Sequence, residues 1–141
     1  MARPSVANRA LADTSALLAL AHRKDQYHAR AVQTARQFLR AGGRFLSTPL
    51  VLAEVQGLLL FRRGPEVARQ VVAAMLADPA YEWATVDAEL VRAAASAWLD
   101  RFPDQRFSLC DAVSFEVMRQ GRIRDAFAYD HHFDTAGFRR L

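Results

Sequence analysis

Short apolar runs alternate along the chain with longer stretches in which apolar positions recur every three or four residues. The run RALA (9–12) reads as a short buried strand, and TSALLALA (14–21) reads as a helix. DQYHARAVQTARQFLRAGG (25–43) has the pattern of an amphipathic helix, with Asp25 near its start and a Gly pair at its end. RFLSTP (44–49) is strand-like, and Pro49 suits the first turn of a third helix, PLVLAEVQGLLLFRRG (49–64). Residues 65–77 form another helix, broken by Asp78-Pro79, and YEWATVD (81–87) reads as a strand before a helix over 88–100. FPDQRF (102–107) is a loop, and Ser108 caps a helix that runs to Gly121. DAFAY (125–129) is the last predicted strand, and HHFDTAGFRRL (131–141) is loop or short helix. Strands that alternate with helices predict an α/β fold with a parallel sheet. In such sheets ligands bind beyond the carboxyl ends of the strands.

The bulk composition narrows the class. A chain of 141 residues with 52% hydrophobic and 24% charged residues is expected to fold as one domain, 1–141, with a sizeable core. No apolar run approaches the ~18 residues needed to span a bilayer. The N-terminal MARPSVANRA has no apolar segment before a cleavage site, so the expected location is the cytoplasm. One cysteine, Cys110, excludes an internal disulfide and a CxxC metal site, and the residue reads as a small buried part of its helix. The net charge of +4 and pI near 10.0 favour a polyanionic partner such as nucleic acid. Lys24 is the only lysine among 19 basic residues, which serves below to exclude lysine-dependent sites.

Within this apolar pattern four acids stand out. Asp13 interrupts NRALADTSALLAL directly after the first strand, where its simplest role is to cap the helix that follows. Glu54 lies within the third helix with Leu50, Val51 and Leu58 at i−4, i−3 and i+4, an apolar setting for a carboxylate. Asp111 occupies the third position of the helix capped by Ser108, the place of a capping-box acid. Asp130 ends the last strand and suits a turn. Each local role is adequate alone, yet the order of elements allows all four to converge on one pocket. At 4 Å and an effective dielectric of 20, each pair of carboxylates repels by about 4 kcal/mol. Such a cluster persists only with raised pKa values or bound cations. All-oxygen ligation suits Mg²⁺ or Mn²⁺ rather than Zn²⁺, and the matching chemistry is phosphodiester hydrolysis.

The segments LADTSALLAL, STPLVLAEV, FSLCDAVSFEVM and AFAYDHHFDTAGF follow a known order and spacing. Over nearly its whole length the chain resembles a PIN-domain ribonuclease of the VapC type, the toxin half of bacterial toxin–antitoxin pairs. The resemblance implies a PIN-like three-layer fold, a short parallel sheet flanked by helices. It places Asp13, Glu54, Asp111 and Asp130 as the catalytic acids that hold Mg²⁺ or Mn²⁺, with Thr14 as the hydroxyl residue after the first. It also implies single-stranded RNA as substrate, a VapB-type antitoxin partner and a homodimer. Two departures are visible. His131 stands where the family ending usually has Arg, and Ala128 stands where Thr or Ser is common two residues before the last acid.

Other readings fare worse on the residues. A haloacid-dehalogenase-like phosphatase needs an acid at position 15, which is Ser, and a late Lys that the chain lacks. A phosphoacceptor receiver domain fails on the same Lys, and a P-loop NTPase on the missing Gly-Lys-Ser/Thr. The pair His131-His132 has no Cys or His complement for zinc and reads as surface or substrate-contacting. The run LLLF (58–61) is apolar around the helix, which makes it core or a subunit interface. Two neighbours of the main reading stay open: a housekeeping PIN nuclease without an antitoxin, and a PIN-fold module that binds RNA or a partner without cleaving.

Overall fold

Alternation within very short strands builds the molecule. A computed structural model of the chain describes residues 8–141, so most of the N-terminal stretch weighed above as a leader lies outside the described residues. Strand β1 (Arg9–Ala12) sends Ala10 and Ala12 to one face and Leu11 to the other, all fully buried. β2 (Arg44–Ser47) splits Phe45 from Leu46, and β4 (Asp125–Phe127) splits Phe127 from Ala126, in the same sense. The sheet therefore has an apolar core on both faces, which is why β1 reads as an unbroken apolar run. β3 (Tyr81–Trp83) and β5 (Arg139–Arg140) complete five strands in the order β3-β2-β1-β4-β5, with every neighbouring pair parallel.

Parallel neighbours need helical crossovers, and these sort into two layers. α1 (Thr14–Ala21), α2 (His28–Arg40), α3 (Pro49–Arg63) and α4 (Pro65–Ala77) connect β1 to β2 and β2 to β3, and they cover the face of Phe45 and Phe127. α5 (Ala88–Ala94), a π-helical segment over Ala95–Asp100 and α6 (Leu109–Gln120) carry the chain from β3 back to β4 across the Leu11 face. α7 (His132–Thr135) then leads to β5. Helix–sheet–helix layering is the expected three-layer α/β arrangement. The direction of winding reverses between β1 and β4, the position at which such sheets open a crevice.

The departures from the sequence reading have physical causes. β5 falls in the tail expected as loop or short helix, because a two-residue edge strand of Arg139 and Arg140 leaves no apolar pattern. The strand expected over 81–87 stops at Trp83, and the one expected over 125–129 stops at Phe127. The helix expected from Asp25 begins at His28, because Asp25 instead closes a turn by accepting from the Tyr27 backbone N–H at 2.8 Å. α6 ends at Gly121 as expected, though not through a left-handed glycine. Gly121 has φ −84, and Arg122 takes the left-handed position with φ 55. The Ile123 backbone N–H then donates to the Met118 carbonyl at 2.8 Å, the 6→1 bond of a Schellman cap, with Ile123 buried. Gly121 is needed for space, since a Cβ there would meet the Val117 carbonyl at 3.2 Å.

A non-glycine residue in the left-handed region carries strain that glycine would not. Arg122→Gly is expected to stabilise the fold by about 0.5–1 kcal/mol, a rise of a few degrees in Tm by thermal unfolding. A lower midpoint would show that the Arg122 side chain contributes more than its backbone costs.

Candidate metal centre

The crevice at the β1/β4 reversal is built by helix caps. Asp13 directly follows β1, and its backbone N–H extends the ladder to the Phe127 carbonyl at 3.0 Å. Its side chain caps α1, with Oδ2 accepting from the Ser15 backbone N–H at 3.5 Å and from the Ser15 hydroxyl at 3.1 Å. Ser15 Oγ in turn accepts from the Tyr129 backbone N–H at 3.0 Å, which ties the end of β1 to the end of β4. Asp111 forms the expected capping box: its backbone N–H donates to Ser108 Oγ, and its Oδ2 accepts from the Ser108 N–H, both at 3.0 Å. Asp130 Oδ1 accepts from the His132 N–H at 2.9 Å. The capping and turn roles read from the sequence are all present, and the same bonds fix where three carboxylates point.

Those carboxylates face one another. Burial, opposed in part by a hydrogen bond from the Thr14 backbone and reinforced by the Asp111 charge, pushes the Asp13 carboxyl from 3.8 up to about 6. Asp111, Asp130 and His132 offer ligand atoms that all lie within 4.8 Å of one another. His132 Nδ1 is 3.1 Å from Asp111 Oδ2 and 3.6 Å from Asp130 Oδ1. Carboxylates only accept, so Nδ1 carries a proton and donates to Asp111. Glu54 reaches the group through Cys110. Burial first, then the charges of Glu54, Asp13 and Asp111, push the Cys110 thiol well above its usual range, so it is a neutral thiol among the acids.

Glu54 corrects the sequence argument. The buried stripe of α3 is Val51, Val55 and Leu59, while Glu54 is exposed at its border rather than set in an apolar face. Cys110 is half-buried, packed against the core on one side and near the acids on the other. Two residues were missed. His132 stands two positions after Asp130, and the His-His pair was its only trace in the sequence. Ser15, which orients Asp13, left none. Thr14 is buried, and its Oγ1 has no hydrogen-bond partner among the described residues.

The arrangement is short of positive charge. Among the described residues none of the four acids pairs with Arg or Lys, and only His131 and His132 approach them. A partly buried, uncompensated group of carboxylates, two of them beside one imidazole, would suit a hard divalent cation. A helix-covered parallel sheet with acids gathered at its topological switch defines a metal-dependent nuclease of the PIN type.

The comparisons agree. The PIN domain family matches residues 10–139, and the chain belongs to that family. It is 34% identical over 127 residues, 89% of this chain and 92% of the relative, to the 23S rRNA-specific endonuclease VapC20 of Mycobacterium tuberculosis. The crystal structure of that VapC20, described as a sarcin-ricin loop cleaving toxin, superposes with a TM-score of 0.78 at 31% identity. That match covers 91% of this chain and 95% of the other. VapBC2 from Rickettsia felis, solved with a promoter DNA fragment, matches in fold alone: TM-score 0.67 at 10% identity over 94% of this chain and 97% of the other.

The Asp13 shift sets a pH dependence. A folded-state pKa raised from 3.8 to about 6 means that the stabilisation is fully present below 3.8 and lost as pH rises through 6. Across that window the metal-free protein loses roughly 3 kcal/mol to Asp13 alone. Asn caps about as well as Asp, so in EDTA the Asp13→Asn variant is expected to melt above wild type at pH 7.5. The gap should fall to about half at pH 5. Equal gaps at both pH values, read by thermal unfolding, would remove the charge argument.

Proposed function

We propose that the protein is a divalent-metal-dependent endoribonuclease that cuts single-stranded RNA and acts as the toxin of a VapBC-type pair. The observation that carries this reading is the gathering of Asp13, Asp111 and Asp130, with Glu54 near them through Cys110, and no Arg or Lys partner among the described residues. We assign Asp13, Glu54, Asp111 and Asp130 as ligands for Mg²⁺ or Mn²⁺, with His132 beside two of them. The hard oxygen donors and the unpartnered Thr14 hydroxyl suit such an ion. When bound, the ion supplies Lewis acidity that activates water and stabilises the leaving oxygen. The chain's own residues prepare that chemistry. Ser15 orients Asp13, the Ser108 N–H holds Asp111, and His132 lies against both Asp111 and Asp130.

Membership of the VapC type supports an RNA substrate and a VapB-type antitoxin, in line with the relative VapC20, which is named an rRNA endonuclease and a loop-cleaving toxin. No helix among the described residues is long and apolar enough to cross a membrane, and we place the activity in the cytoplasm with its RNA. For the homodimer, α3 and α4 pack together and expose Phe61 (90%), Leu76 (57%) and Leu60 (45%). An apolar surface of this kind suits a subunit contact.

The purified protein is expected to cleave single-stranded RNA with Mg²⁺ or Mn²⁺ and not in excess EDTA, leaving 5′-phosphate and 3′-hydroxyl ends. Asp13→Asn, Glu54→Gln, Asp111→Asn and Asp130→Asn should each lower cleavage by roughly 100-fold or more, beyond what loss of an outer partner costs. Glu66→Gln and Asp104→Asn, at exposed positions, should stay within about twofold of wild type. Activity in EDTA, or 2′,3′-cyclic phosphate ends, would overturn the mechanism. Sedimentation should show a dimer that Phe61→Glu converts to monomer; a wild-type monomer at tens of micromolar would remove the homodimer.

A further inference from the structure

An aromatic stack begins at the residue before Asp130, and neither capping nor charge accounts for it. Tyr129 immediately precedes Asp130, and its backbone N–H is the one that meets Ser15 Oγ behind Asp13. The Tyr27 ring lies on the Tyr129 ring with centroids 4.4 Å apart and planes 8° from parallel. The Arg30 guanidinium sits over the Tyr129 ring at 5.7 Å. Tyr129 is half-buried, while Tyr27 keeps 37% of its surface exposed, so the stack reaches solvent through Tyr27.

The stack is held in place. Asp25 Oδ1 accepts from the Tyr27 backbone N–H at 2.8 Å. The next residue, His28, donates from Nδ1 to the Ala19 carbonyl at 2.7 Å and so fastens the loop to α1. The same loop exposes Arg23 and Lys24. A fixed, solvent-reaching aromatic ring with cations in the same loop is a combination that binds unpaired bases and their phosphates. Extending a stack that already exists requires no new ordering of side chains.

We propose that Tyr27, backed by Tyr129, is the stacking platform for one unpaired nucleobase of the RNA next to the scissile phosphate. This rests on the ribonuclease reading above. Tyr27 is a positioning residue: it holds the base and does not touch the reacting atoms. A stack that merely staples the 22–28 loop to the sheet is the competing account.

The test uses the full chain and short single-stranded RNA oligonucleotides, with steady-state cleavage in Mg²⁺ or Mn²⁺. Tyr27→Ala is expected to raise KM about tenfold, within the range of one base–aromatic stack, while kcat stays within about twofold. Tyr27→Phe and Tyr27→Trp keep the wild-type KM, because each retains a ring. Replacing the stacked nucleotide by an abasic residue should erase the difference between wild type and Tyr27→Ala, as coupled partners require. An unchanged KM in Tyr27→Ala, a Tyr27→Phe variant as impaired as Tyr27→Ala, or a difference that survives the abasic substrate would each overturn the proposal in favour of a staple. A binding arm separates this from the parent reading. Single-stranded RNA carrying 2-aminopurine at successive positions should be quenched at one position by wild type in EDTA, and not by Tyr27→Ala. If no RNA is cleaved with either ion, the ribonuclease reading falls, and the fluorescence alone decides the platform.

Discussion

Burial of the Asp13 carboxyl at the end of β1 is the constraint to which the surrounding structure answers. β1 is the middle strand of the sheet, apolar on both faces, and the chain winds in opposite directions on its two sides. A carboxyl placed just beyond it cannot reach bulk water, and its pKa rises accordingly. What keeps it there is local. The cap on α1, the bond to Ser15 and the ladder bond to Phe127 fix the geometry of Asp13. α1 and α6 each point their amino ends at the crevice, and the positive ends of their dipoles offset part of the negative charge. Offsets of that kind are worth about 0.3–1 kcal/mol each, against several kcal/mol of desolvation and repulsion. The balance left over is what a cation would neutralise.

Sequence patterning carried the architecture because the fold obeys it strictly. Strands β1 and β2 and helices α1, α3, α4 and α6 lie within a residue or two of their expected limits, since each is bounded by a cap, a proline or a glycine. β5 escaped because an edge strand of two arginines buries nothing. The end of α6 at Gly121 was legible, whereas the left-handed Arg122 beyond it is marked only by backbone geometry. At the site, Asp13, Asp111 and Asp130 were legible for a mundane reason: residues that cap helices and close turns after strands occupy predictable positions. Glu54 was singled out through an apolar face it does not occupy, and contact across layers, invisible in one dimension, is what brings it near Cys110. His132, Ser15 and the Tyr27–Tyr129 stack depend on such contacts entirely.

A second buried acid shows that the lack of compensation at the crevice is specific rather than a consequence of the fold. Glu116 lies one and a half turns further along α6 from Asp111 and is 1% exposed. Arg119 binds its carboxylate through Nε at 3.1 and 3.2 Å, with Gln120 and Trp98 donating at 3.2 and 3.1 Å. The Arg119 hydrogen bonds hold Glu116 below the ordinary carboxylate range, the opposite direction from Asp13. The chain therefore contains the means to neutralise a buried acid with arginine, and has 18 arginines with which to do it. At the crevice it uses none among the described residues. An arginine there would lower the Asp13 pKa and stabilise the metal-free fold, but its fixed guanidinium would occupy the place of an exchangeable cation. Glu116 and Asp111 share one helix, yet only Glu116 is neutralised by arginine, so the uncompensated charge at the crevice is a property of that place and not of buried acids in this fold.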